Sequence, residues 1–136
     1  MKLNTTVLKQ PLRKTKVEEG VNKFKLLEIT PRYGVKWYEN KNANVVDLKL
    51  ESESGEVIWQ RELYSFSFSS NLGKLIRALL SKSSKEFIYE IDVDEIIGKE
   101  VIGEVVYWKS PRGDIFEKVK NFKSIEDYHL DDNEAI

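Results

Sequence analysis

The sequence predicts a mainly β domain: a five-stranded barrel with one helix between the third and fourth strands. Three observations point there. Residues 57–80 read VIWQRELYSFSFSSNLGKLIRALL, and the period changes inside that stretch. Ile58, Trp59, Leu63, Tyr64, Phe66 and Phe68 suit a half-buried strand, whereas Leu72, Leu75, Ile76, Leu79 and Leu80 recur at helical spacing. Strand-like segments flank this unit on both sides, and turn residues punctuate them.

Residues 1–19 are basic and then acidic, and Pro11 discourages regular structure, so they read as an arm or an edge strand. Gly20 opens VNKFKLLEIT, a first strand carrying Phe24, Leu26, Leu27 and Ile29, which Pro31 and Gly34 bend. VKWYENKNANVVDLKLE reads as a hairpin with ENKNAN as its turn and with Val46, Leu48 and Leu50 alternating on the return arm. Glu53-Ser54-Gly55 leads into the long strand from Val57 to Phe68; if Tyr64, Phe66 and Phe68 face the core, Trp59 and Arg61 point outward.

Ser70 or Asn71 caps the helix, and Lys74, Arg77 and Ser81 fall on its polar side. EFIYEID is a short extended piece, followed by a single turn capped by Asp92 and stopped by Gly98. KEVIGEVVYWKS is the fourth strand, Pro111-Arg112-Gly113 a turn, and DIFEKVKNFKSI the closing strand with Phe116, Val119 and Phe122. Strand, hairpin, strand, helix, strand, strand is the order of the OB fold, a small, partly open barrel. The alternatives are a generic α+β sandwich and a PC4/Whirly-like α+β domain.

Composition narrows the function. The 136 residues fit one domain, 40% hydrophobic and 33% charged. No apolar run approaches the ~18–20 residues of a membrane span. The N-terminus lacks an apolar signal region, so a cytoplasmic location is expected, the host cytoplasm if the source is viral. With no cysteine and one histidine, His129, little remains for thiol chemistry, zinc or His-based catalysis. Asp92, Asp94 and Glu95 cluster, but capping accounts for two of the three. No cofactor, metal or catalytic set is read, and the chain is not expected to be an enzyme.

The charge is uneven. Lys2, Lys9, Arg13, Lys14 and Lys16 crowd the start, whereas Glu126, Asp127, Asp131, Asp132 and Glu134 crowd the end. Without those five acids, 22 basic residues face 18 acidic ones. A mildly basic body with an acidic tail suits a polyanion binder, and also a merely solvated terminus. The division expected is a basic arm over 1–19, a domain over 20–123 and an acidic tail over 124–136.

Aromatic and basic residues mix where such a barrel binds ligands. The first hairpin holds Arg32, Tyr33, Lys36, Trp37, Tyr38 and Lys41, and its return arm adds Lys49. Trp59 and Arg61 share a parity on the central strand; Gln60 and Glu62 then point inward unless a bulge intervenes. The last hairpin offers Trp108, Lys109 and Arg112. Exposed rings can stack on bases of any sequence while cations follow phosphates. Core packing is the competing reading for Trp37, Trp59 and Trp108.

The run from Tyr64 through Leu80, IDVDEIIGKEVIGEV at 91–105 and the following Gly turn with Phe116 resemble the phage-type OB-fold single-stranded DNA-binding proteins. Those proteins share a strand entering an "L..LL..L" helix, an acidic-apolar segment ending Gly-Lys, and alternating valines. The resemblance covers residues 20–123. It implies non-sequence-specific binding of single-stranded DNA in replication or recombination, without catalysis, through the two hairpins and the central strand. RNA is a close alternative. The tail is similar to the partner-recruiting tails of bacterial single-stranded DNA-binding proteins, though it ends Asn-Glu-Ala-Ile instead of Pro-Phe. A replication or recombination protein is the partner this implies, with homo-oligomerisation left open. The rival classes are a protein-interaction module that does not touch nucleic acid, and an enzyme accessory or inhibitor whose tail mimics DNA.

Overall fold

The computed structural model describes residues 15–83 and 85–128. Lys2, Lys9, Arg13, Lys14, His129 and the tail acids Asp131, Asp132 and Glu134 lie outside the described residues.

Five antiparallel strands form one coiled sheet in the order β3-β2-β1-β4-β5. They are β1 (Gly20–Trp37), β2 (Asn40–Ser52), β3 (Val57–Leu63), β4 (Glu100–Lys109) and β5 (Ile115–Lys123). A single helix, α1 (Asn71–Leu79), lies between β3 and β4. This is the OB-like arrangement expected. The helix interrupts the strands after the third, so the sheet-then-helix alternative does not apply.

β1 organises the barrel. It pairs with β2 from Phe24 to Trp37 and with β4 from Gly20 to Lys25. The first strand, expected over VNKFKLLEIT, runs on through Pro31 and Gly34 to Trp37. Beyond Leu26, whose backbone still bonds Gly98 and Lys99, only one edge of β1 is paired, so a residue without an N–H is tolerated there. Gly34 takes a φ of +63° at an irregularity between Arg32 and Val35 and donates its N–H to Asn44 Oδ1. The hairpin turns at Tyr38 and Glu39, with Trp37 paired to Asn40, so most of ENKNAN belongs to β2.

The inward side chains are Phe24, Leu26, Val46, Leu48, Leu50, Ile58, Val101, Val105, Val119 and Phe122. The apolar stripe of α1 (Leu72, Leu75, Ile76 and Leu79) closes the core. Ser70 is the cap: its Oγ accepts the Gly73 N–H at 2.9 Å. Arg77, expected on the polar side, is only 3% exposed. Its guanidinium folds back onto the carbonyls of Gly73 and Glu86, at 3.0 and 2.9 Å.

Two further expectations change. β3, expected to run on to Phe68, ends at Leu63, and Tyr64, Phe66 and Phe68 lie on an irregular link, where Phe66 packs partly on the core and the other two are exposed. EFIYEID forms no strand. The Asp92 cap is present, its Oδ1 accepting from the Asp94 N–H, and Gly98 stops the turn at a φ of +84°.

The edges β3 and β5 are joined by a side chain. Gln60 donates from Nε2 to the Val119 carbonyl and accepts the Val119 N–H on Oε1, both at 2.8 Å. Its amide thus imitates a peptide group of the missing ladder. Nε2 also reaches Glu62 Oε1 at 2.7 Å. Asn71 at the start of α1 donates to the same Glu62 oxygen and the same carbonyl, at 2.7 and 3.0 Å. No bulge turns Gln60 and Glu62 outward; they are buried as a seam.

Packing continues past residues 20 and 123. Val17 joins the core, and its carbonyl accepts from Tyr107 Oη at 2.6 Å. Ser124 is buried, and its Oγ accepts the Asp127 N–H of a helical turn over 125–128. No helix among the described residues is long and apolar enough to cross a membrane.

Candidate nucleic-acid interface

The outer face of β1–β3 is built by strand alternation. Val46, Leu48, Leu50, Ile58, Gln60 and Glu62 point inward, so Asp47, Lys49, Trp59 and Arg61 point outward. Register then sets the neighbours. Lys49 pairs with Glu28 on one side and Trp59 on the other, and Asp47 with Thr30 and Arg61. Trp59 is 57% exposed, and the Lys49 ammonium lies 5.4 Å from its ring centroid. The core reading therefore does not hold for Trp59.

The cations of this face are not free. Asp47 accepts from Arg61 Nε and Nη2 at 2.7 and 3.1 Å and from Arg32 Nε at 2.8 Å. Hydrogen bonding to Arg61, and after it to Arg32, holds the Asp47 carboxyl below its ordinary range, against the opposing effect of partial burial. The same contact raises Arg61. Lys49 reaches Glu28 at 3.6 Å. Depressed in the fold, Asp47 adds stability above its unfolded pKa of about 3.9 and loses it as pH falls through the lower folded value. Arg32 and Arg61 are well exposed, so solvent screening keeps that contribution small.

At the tip of the β1–β2 hairpin, Trp37 is half-buried and stacks on the exposed Tyr38 with centroids 5.4 Å apart. Lys36 and Lys41 are exposed beside them. Tyr33 stacks on Tyr64 at 6.2 Å, and Tyr64 touches Phe66 at 5.7 Å. The β4–β5 hairpin is a separate group. Trp108, half exposed, stacks on Phe116 across the strands at 4.4 Å, with Lys109 at the strand end. Arg112 in the turn pairs with Asp114 at 3.3 Å.

Arg32, Lys49, Trp59 and Arg61 thus form one connected patch; Tyr33, Lys36, Trp37, Tyr38 and Lys41 sit on the first hairpin, and Trp108, Lys109 and Arg112 on the last. Sequence reasoning missed the acids that hold the patch, Glu28 and Asp47. Their outward parity on β1 and β2 was the available signal. It also missed the ring partners Tyr64 and Phe116, and the exposed pair Phe87 and Tyr89, whose i, i+2 spacing marks one side of an extended segment. Among the described residues, no group of three or more His, Cys, Asp or Glu side chains could hold a metal ion.

No protein-family model matches the sequence, and a search of curated proteins finds no match.

Proposed function

We propose that this protein binds single-stranded DNA without reading its sequence, in replication or recombination and in the cytoplasm, by binding alone. The observation that carries the reading is Trp59: a large ring on the outer face of the edge strand β3, exposed and flanked by Lys49 and Arg61. A rigid strand holds that ring, so a base can stack on it with little loss of side-chain freedom, at about 1–3 kcal/mol per base. Stacked exposed rings on both hairpins extend the same chemistry. RNA would meet the same rings, and competition between oligo-dT and oligo-U ranks the two.

Oligo-dT should quench tryptophan fluorescence, with affinity falling as salt rises by about 0.7 log units per log unit for each phosphate neutralised. Trp59→Ala should weaken that binding roughly 5- to 100-fold while shifting stability by less than about 1 kcal/mol, because the ring is largely solvated. Absence of both quench and gel shift at low salt would sink the reading.

A second reading is a protein-docking face, and one observation favours it: Asp47 and Glu28 neutralise the cations that a phosphate backbone would need. Asp47→Asn separates the two. If DNA is the ligand, releasing Arg32 and Arg61 should tighten oligo-dT binding several-fold and steepen the salt slope by up to about 1.4, two phosphates' worth. Unchanged or weaker oligo binding in the folded variant would favour the docking face.

A further inference from the structure

From Phe68, Phe87 and Tyr89 we infer a second base-stacking site, a ladder of rings on the helix side of the barrel that takes the continuation of the same single strand. The inference rests on the single-strand reading above. Phe68 and Phe87 have centroids 5.2 Å apart, and Phe87 and Tyr89 stack at 6.2 Å with planes 22° apart. Exposure rises along the row: Phe87 is 71% and Tyr89 89% exposed.

These rings are held out, not left over. On the same short segment Ile88 and Ile91 pack against the core, so the smaller apolar side chains are taken inward and the larger rings face water. Buried Arg77 fixes the segment by donating to the Glu86 carbonyl, and its guanidinium lies 4.6 Å from the Phe68 ring centroid. A ring platform rooted on a buried cation is preorganised for stacking.

Phosphate contacts are at hand. Phe68 and Arg77 line a groove of about 610 Å³ together with Lys74, Lys82 and Lys123 and the acids Glu104 and Asp127. Among the described residues Lys74 and Lys85 make no ion pair, and Lys82 pairs with Glu86 at 3.4 Å. Unlike Arg32, Lys49 and Arg61 around Trp59, which are ion-paired, Lys74 and Lys85 therefore keep their ammonium groups available on this side. That difference favours a polyanion carrying flat bases over a protein partner.

The test compares oligo-dT of about 8 and about 16 nucleotides, the middle and the upper end of the range an OB fold covers. The full chain should bind the longer oligonucleotide more tightly than extra registers alone explain. Phe87→Ala with Tyr89→Ala should lose at least tenfold on the longer oligonucleotide and less than twofold on the shorter. Trp59→Ala should lose on both. Phe87→Leu with Tyr89→Leu, which keeps apolar surface but removes the rings, should behave like the alanine pair. Unchanged binding of the longer oligonucleotide by either pair would overturn the ladder while leaving the Trp59 face standing. Unchanged binding with loss of self-association in sedimentation would make the rings a protein contact, which also overturns it. No binding of either length by the unmodified chain would remove the single-strand reading itself, and the ladder with it.

Discussion

Gln60→Leu should lower the unfolding free energy by roughly 3 kcal/mol and the melting temperature by roughly 10 °C. Leucine fits the volume, so the loss is one of hydrogen bonds and not of packing. The Val119 N–H loses its acceptor in a residue with no exposed surface, and a buried orphan donor costs about 1–3 kcal/mol. The Val119 carbonyl keeps Asn71, but the buried Glu62 carboxylate loses the Gln60 donor, and bonds to charged groups carry about 1.5–3 kcal/mol. Arg61→Gln, one residue away on the outer face, is the control and should shift stability by less than about 1 kcal/mol. Thermal melts of the two variants check this; equal melting temperatures would mean that the seam does not hold the barrel shut.

Gly73→Ala sets two effects against each other. Helix propensity alone favours alanine by about 1 kcal/mol. A Cβ at Gly73, however, would stand 2.1 Å from the Ser67 carbonyl oxygen, which is backbone and cannot rotate aside. Ser67 is itself tied down, since its carbonyl accepts from the Ser70 N–H and Oγ. Relief therefore requires shifting the link that carries Phe66 and Phe68, or pulling α1 out of the barrel end. The net expectation is a loss of roughly 3 kcal/mol, read by denaturant titration. A gain in stability would show that this link yields easily and that the close approach is unimportant.

How much of this was legible in the sequence follows from where each determinant lies. The α1 stripe and its serine cap are local, and periodicity placed them correctly. So did the alternation of Val101, Val105 and Tyr107 around Gly103, where a Cβ would meet Val119 Cγ1 at 2.4 Å. The inward parity of Gln60 and Glu62 was visible too, but it looked like a defect, because their partners Val119 and Asn71 lie elsewhere in the chain. Arg77 was misplaced for a related reason: a long side chain leaves its helical face when distant carbonyls are available to it. Tyr64, Phe66 and Phe68 have strand-forming side chains, yet the descent into α1 overrides that propensity.

Of the candidate site, the ring types and the outward parity of Trp59 and Arg61 could be read directly. The ion pairs with Asp47 and Glu28 could not, since they depend on the register between β1, β2 and β3. A shift of a single residue would have sent every one of those side chains to the other face.

The double pairing of β1 also shapes how the chain reaches this structure. Trp37 meets Asn40 across a tight turn, and β3 follows β2 closely, so the β1–β2–β3 meander consists of contacts between near neighbours. Gly20, by contrast, must find Val105 only after the helix and its long following segment have been made. Loop-closure entropy grows slowly with the length of chain enclosed, so this distant pairing weighs little on equilibrium stability. It weighs on the folding rate, which falls as contacts become less local. Docking β4 onto the first residues of β1 is accordingly expected among the late, rate-limiting events of folding, and a stopped-flow measurement in which Val105→Ala slows refolding no more than a β2 core deletion would overturn that expectation.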